Sequence, residues 1–165
     1  MNPAILYTIG TWEGGYSDTA GDKGGETKFG ISKKAFPGVD ISKLTLESAV
    51  NIYDVSYWRP LSLDEIKSIR VAWKVFDIAV NQGPGEAAKI LQRSLVVTAD
   101  GLIGPVTISA ANQANEEILL RKLAFGQMDK YVSIVISDPT QLEWLHGWFN
   151  RCRDVGDTLL SHPTP

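Results

Sequence analysis

Glu13 and Asp22 lie nine residues apart on either side of a glycine-rich reversal, and Thr27 follows shortly after. Paired in this way, two carboxylates suit the cleavage of a bond between sugars. One carboxylic acid protonates the leaving oxygen, while a second polar group handles water or the developing cation. The acid must keep its proton near neutral pH. Glu13 is placed for that, because it falls in the last turn of an expected helix, where the dipole disfavours a negative charge. Trp12 beside it pushes the same way by desolvation. Asp22 is expected to position water or stabilise positive charge, and the Thr27 hydroxyl to orient that water. Asp18 and Glu26 share the same loop and are rivals for these roles. The plain alternatives are a surface glutamate at a fraying helix end and a turn aspartate bonded to its own backbone.

The elements that must hold these groups are legible in outline. Asn2 is a good cap, Pro3 suits the first helical position, and Ile5, Leu6, Ile9 and Trp12 recur at helical spacing. Gly14-Gly15 ends that helix. Six glycines fall between positions 14 and 31, too irregular for a phosphate cradle and without the strand that one would need. Gly24-Gly25 and their polar neighbours predict a tight β-hairpin or turn that sets Asp22 and Thr27 opposite Glu13. Downstream the pattern is helical. Thr45 opens a helix carrying Leu46, Ala49, Val50 and Tyr53, which Pro60 stops. Ser62-Leu63-Asp64-Glu65 reads as a capping box. Residues 71–80 are almost continuously apolar and predict the most buried helix. Gly83-Pro84-Gly85 breaks it, and Ala87, Ala88, Ile90, Leu91 and Leu95 define the next face. Asp100-Gly101 is a turn, and Gly104-Pro105 starts another helix. Asn115-Glu116-Glu117 opens a long one, with acids where the dipole favours them. After Asp138-Pro139, a final helix is expected through Leu142, Leu145, Trp148, Phe149, Cys152 and Leu159.

Several segments together carry a family resemblance. Glu13-Gly14-Gly15-Tyr16, Asp22-Lys23-Gly24-Gly25-Glu26-Thr27 and Phe29-Gly30-Ile31 resemble the signature of the glycoside hydrolase family 108 lysozymes. The likeness continues through Tyr53-Asp54, Tyr57-Trp58-Arg59-Pro60 and Phe76-Asp77-Ile78-Ala79-Val80-Asn81-Gln82-Gly83. Asp100-Gly101-Leu102-Ile103-Gly104-Pro105-Val106-Thr107 is similar to the Asp-Gly-x-x-Gly-x-x-Thr turn of peptidoglycan-binding segments in the same family. The resemblance implies an N-acetylmuramidase, in many cases a bacteriophage endolysin, with a lysozyme-like helical fold and Glu13 as catalytic acid. The Glu-x8-Asp spacing of phage-type lysozymes is met by Glu13 and Asp22, while Thr27 comes one residue early. The implied substrate is the glycan strand of bacterial peptidoglycan. Tyr16, Tyr57 and Trp58 are expected as platforms for sugar faces, and Asp77, Asn81 and Gln82 as polar groups of the groove. Asp77 and Asn81 share a helical face, and polar groups on so apolar a helix must find partners or line a cleft. Trp148 and Arg151 are expected to be structural.

Composition sets the limits. With 165 residues and 44% hydrophobic content, one domain is expected, mainly α with a small β-hairpin near the N-terminus. Its halves would be residues 1–85, bearing the catalytic motif, and 86–165, the peptidoglycan-binding-like part, integrated in one fold. A net charge of −3 and a pI near 5.4 argue against nucleic-acid binding. No apolar run predicts a membrane span, and the N-terminus lacks the pattern of a secretory signal. The expectation is a monomer kept in a host cytoplasm until release through a holin-type pore or secretion by another machine. Cys152 is the single cysteine, so no internal disulfide is expected. His146 and His162 lie in no ligand motif, so neither a metal nor a cofactor is expected. Cys152 and His146 are six apart on one helix, on nearly opposite faces, which argues against a cysteine peptidase.

Overall fold

The computed structural model describes residues 1–11 and 25–154. Among these the fold is mainly α, with seven α-helices and one two-stranded antiparallel sheet near the N-terminus. The chain forms two compact units, Met1–Ser56 and a larger one from Tyr57 onward.

In the first unit, α1 (Pro3–Thr11) starts as expected, with Asn2 Oδ1 accepting from the Ala4 amide at 2.9 Å. Its buried face is Ala4, Ile5, Thr8 and Ile9. Leu6, expected on that face, is half-buried, because the small Ala4 and Thr8 complete the stripe instead. The Thr8 hydroxyl tolerates burial by donating to the Ala4 carbonyl at 3.2 Å. The hairpin pairs β1 (Thr27–Lys28) with β2 (Ile31–Ser32), Thr27 opposite Ser32. Its turn is Phe29-Gly30; Gly24, of the pair expected to turn, lies outside the described residues. A two-residue hairpin link of this hand needs positive φ at both centres, and Phe29 and Gly30 have φ of 53° and 75°. Gly30 adopts that freely; Phe29 is strained, and the Tyr53 hydroxyl anchors its carbonyl at 2.9 Å. Ile31, Ile41 and Leu44 are buried, as are Ala49, Val50 and Tyr53 of α2 (Leu46–Tyr53). Thr45 and Ser48 cap α2 reciprocally.

After α2 the backbone passes through a π turn (Asp54–Trp58) and a 3-10 turn (Arg59–Leu61) that contains Pro60. The capping box expected at Ser62 does not form. Ser62 takes a left-handed backbone (φ 51°), whereas a capping residue needs extended φ and ψ, and only a single 3-10 turn follows (Leu63–Glu65).

The centre of the larger unit is α3 (Ile69–Gln82), in which ten consecutive residues from Arg70 are buried. It packs against α4 (Pro84–Leu95) and α6 (Glu116–Ser137), while α5 (Pro105–Gln113) packs on α4. The Asn115 side chain caps α6 by accepting from Ile118 N at 3.1 Å. The buried Arg70 side chain ties the starts of α3 and α6 together, donating to Glu116 at 2.9 Å and to Glu117 at 2.5 Å. Asn112 of α5 braces the preceding loop, accepting from Lys67 N at 2.8 Å and donating to Glu65 O at 2.9 Å. Leu142 falls in a 3-10 turn (Pro139–Trp144) before α7 (Leu145–Arg153), not in the final helix itself. Leu159 lies outside the described residues.

Candidate active site

Glu13, Tyr16, Asp22 and the rival Asp18 lie outside the described residues. Thr27 is described, half-buried in β1, where its hydroxyl donates to the Gly25 carbonyl at 3.1 Å. The hairpin fixes its backbone, and that one bond leaves the oxygen able to accept from a further group. Glu26, just before β1, accepts from the Lys33 amide through its carbonyl at 2.8 Å.

The groove residues expected in the larger unit separate into two kinds. Tyr57 and Gln82 are half-buried, and Asn81 is exposed. Trp58 and Asp77 correct the expectation. Trp58 is 2% exposed, with its indole N–H donating to Asp64 at 2.8 Å and its ring set edgewise on Phe76. Its faces are thus covered by the core and cannot stack on a sugar. Asp77 has no exposed surface. Its Oδ1 accepts from Arg151 Nε at 2.8 Å and its Oδ2 from Gln127 Nε2 at 3.1 Å, with Lys74 Nζ 3.9 Å away.

That carboxylate is the hub of a buried polar cluster. Lys74, fully buried, donates to the carbonyls of Arg151, Cys152 and Asp154 at 3.2, 3.2 and 2.7 Å. It therefore closes the end of α7, where orphan carbonyls and the negative dipole attract a cation. Burial pushes the Lys74 pKa down, opposed by the charge of Asp77. Oriented by its hydrogen bonds, Asn81 turns its carboxamide oxygen to Arg151 and accepts from Nη2 at 2.5 Å. Gln82 donates to the Gln127 carbonyl at 3.0 Å. Asp77, Asn81 and Gln82 are thus brought together, and Asn81 is the one exposed to solvent. Trp148 stacks on Tyr131, with centroids 4.6 Å apart. Arg151 and Trp148 both serve the packing of the larger unit.

The loop at 100–107 is built around Gln92, a side chain that motif reading had missed. Gln92 is buried; its Nε2 donates to Asp100 Oδ1 at 2.7 Å and to the Leu102 carbonyl at 3.0 Å. Its Oε1 accepts from the Gly101 amide at 2.9 Å. Asp100 also accepts from Leu102 N at 2.9 Å, and these two donors hold its carboxyl below the ordinary range, Leu102 first. Gly101, at φ 83°, makes the turn that no side chain adopts comfortably. The Asp, the first Gly and the Thr of the motif are therefore turn-forming groups, with Thr107 buried beside Gln92. Leu102 and Val106 are exposed beside Asp100 in this loop.

Cys152 is buried, and desolvation raises its thiol to about 11, which suits a packing role rather than a nucleophile. Among the described residues, no group of three or more His, Cys, Asp or Glu could hold a metal ion, and no helix is long and apolar enough to cross a membrane.

Residues 6–83 match the glycosyl hydrolase 108 family, and residues 86–153 match a predicted peptidoglycan domain. The two matches together support the class of glycoside hydrolases directed at peptidoglycan. That match over residues 6–83 agrees with the resemblance its motifs carry. In the structure of Brucella abortus SagA the fold recurs with a TM-score of 0.77 and 27% sequence identity, covering 95% of this chain and 92% of that one. No curated protein matches the chain. The junction between the two matched segments falls at Gly83, between α3 and α4 and inside the larger compact unit.

Proposed function

We propose that the protein is an N-acetylmuramidase, cleaving the β-1,4 bond between N-acetylmuramic acid and N-acetylglucosamine in peptidoglycan. The observation that carries this reading is the match of residues 6–83 to glycosyl hydrolase 108, within which the Glu13-Gly14-Gly15-Tyr16 motif falls. Glu13 donates the proton to the leaving oxygen, Asp22 assists water or the developing charge, and Thr27 orients that water. Exposed Asn81 and half-buried Tyr57 and Gln82, with Tyr16, are the groups assigned to the sugar. No metal or cofactor takes part, and the enzyme works as a monomer. The adjoining predicted peptidoglycan domain favours the same polymer as partner.

Its setting in this reading is that of a bacteriophage endolysin, released from the host cytoplasm by a holin-type pore to reach the wall. Co-expression with and without such a pore tests that placement, since lysis without one would remove it. The reaction is tested by mass spectrometry of purified wall digests after borohydride reduction. Fragments ending in reduced muramic acid are expected. Fragments ending in reduced glucosamine or in an anhydro sugar would replace the assignment, and an undigested wall that retains the protein would leave a binding protein.

A further inference from the structure

Along the crossing of α4 and α6 the surface is hollowed in three adjoining depressions, of about 360, 290 and 360 Å³. The first and second share Ser94 and Lys122; the second and third share Arg93, Gly126 and Asp129. They form one elongated trough. Its floor exists because Gly126 carries no side chain: a Cβ there would lie 2.7 Å from Ile90 Cγ2. Lys122, Gly126, Asp129 and Ser133 follow at i, i+4, i+7 and i+11, so one stripe of α6 forms its wall. Phe125, which lines the second depression, is 72% exposed.

Charges in the trough are unevenly matched. Glu86 is taken up by Arg93 at 2.7 Å and Lys130 at 3.7 Å. Lys122 and Asp129 are different. Lys122 Nζ bonds only the Ser94 carbonyl, at 3.1 Å, and neither residue has an ion-pair partner among the described residues. Seven residues of helix set them about 10 Å apart along the axis at roughly 1.5 Å per residue. An extended peptide covers that distance in about three residues at roughly 3.3 Å each. A sugar strand offers hydroxyl and acetamido donors to Asp129 but no cation to match its charge. The peptide branches of the wall polymer bear both free carboxylates and, on their diamino acid, an ammonium group.

We propose that this trough binds the peptide branches of peptidoglycan, with Lys122 receiving a carboxylate, Asp129 an ammonium and Phe125 the aliphatic stem between them. The inference rests on the reading of peptidoglycan as partner and adds that the recognised part in this segment is peptide rather than glycan. Charge-assisted bonds of this kind carry geometric preference as well as attraction, so the trough would select walls by their peptide chemistry.

The full-length protein is titrated by calorimetry with synthetic L-alanyl-γ-D-glutamyl-meso-diaminopimelyl-D-alanine, with the same peptide amidated at its carboxylates, and with chitotetraose. Wild type is expected to bind the acidic peptide about tenfold more tightly than its amide, the effect of one charged contact. Lys122→Met should lose that preference, and Asp129→Asn should weaken both peptides about tenfold. Both side chains are exposed and project from the helix, so unchanged melting confirms intact variants. Chitotetraose binding should be the same in all three proteins. No peptide binding, or equal peptide affinities in wild type and variants, would overturn the inference while wall lysis could still stand. Peptide binding without any glycan cleavage would overturn the proposed function and leave the trough assigned.

Discussion

Arg151 Nε donates to Asp77 Oδ1 at 2.8 Å, bonding α7 to α3 inside the larger unit. Gln127 takes the other oxygen, and Lys74 approaches from the next turn of α3. Removing one partner of such a buried set strands the others, at a cost of about 3–5 kcal/mol. Asp77→Ala should show that loss in urea unfolding, and Asp77→Asn, which keeps shape and an acceptor, a smaller one. A loss below about 1 kcal/mol for Asp77→Ala, the scale of an exposed pair, would show that the cluster is not the tie described.

Gln92→Leu keeps volume but withdraws the groups that hold Asp100, Gly101 and Leu102. Lost side-chain bonds of this type cost about 1–3 kcal/mol. Amide exchange at Gly101 and Leu102 should accelerate in hydrogen-exchange mass spectrometry while α3 stays protected. Unchanged exchange in the loop would remove Gln92 as its organiser.

Gly126→Ala should destabilise by about 1–3 kcal/mol, because the added methyl meets Ile90 within the packed crossing. Pairing it with Ile90→Ala tests the cause. The double variant should be more stable than the sum of the two single losses predicts, as read from a thermal-melt cycle. Strict additivity would locate the strain elsewhere.

Alkaline pH should loosen the α6–α7 region through its buried thiol and phenol, the carboxylates staying ionised throughout. Burial raises the Cys152 thiol from 9.0 to about 11 and the Tyr131 hydroxyl from 10.0 to about 12. For a group raised on folding, the stabilising contribution is complete below its unfolded pKa and disappears as pH rises through the folded one. Stability should therefore begin to fall above pH 9.0 on account of Cys152. Lys74, lowered from 10.5, acts in the opposite sense up to that value. Comparing wild type with Cys152→Ala isolates the thiol. The variant should lose this part of the decline between pH 9.0 and about 11, and parallel pH profiles would contradict the assignment.

Glu13→Gln should abolish wall lysis while leaving the melting curve unchanged, since an amide of the same size cannot give up a proton. Turbidity of purified wall suspensions reads the first and circular dichroism the second. Lysis near the wild-type rate would dismiss Glu13 as the acid.

The helical frame was readable because its signals are local. Asn115-Glu116-Glu117 opens a helix wherever it stands, and the apolar run at 71–80 could only be a buried element. The residues misjudged depend on distant partners. Trp58 beside Pro60 reads as a groove aromatic, and only the approach of Asp64 and Phe76 makes it core. Asp77 reads as a polar group of the groove, yet its partners lie 50 and 74 residues away, on α6 and α7, and bury it. Lys74 sits in the same apolar run and is buried likewise. The turn at Phe29-Gly30 escapes the propensity rule, which does not foresee an aromatic residue at positive φ with its carbonyl bonded by the Tyr53 hydroxyl.

The meeting of the two matched segments at Gly83 bears on how such chains can be recombined. Arg70 reaches Glu116 and Glu117, Lys67 and Glu65 are laced to Asn112, and Asp77 is neutralised from α7. A graft that exchanged everything after residue 84 would sever all of these at once and bare the greasy spine of α3. Swapping between Ser56 and Tyr57 instead would keep every one of these bonds within one inherited piece.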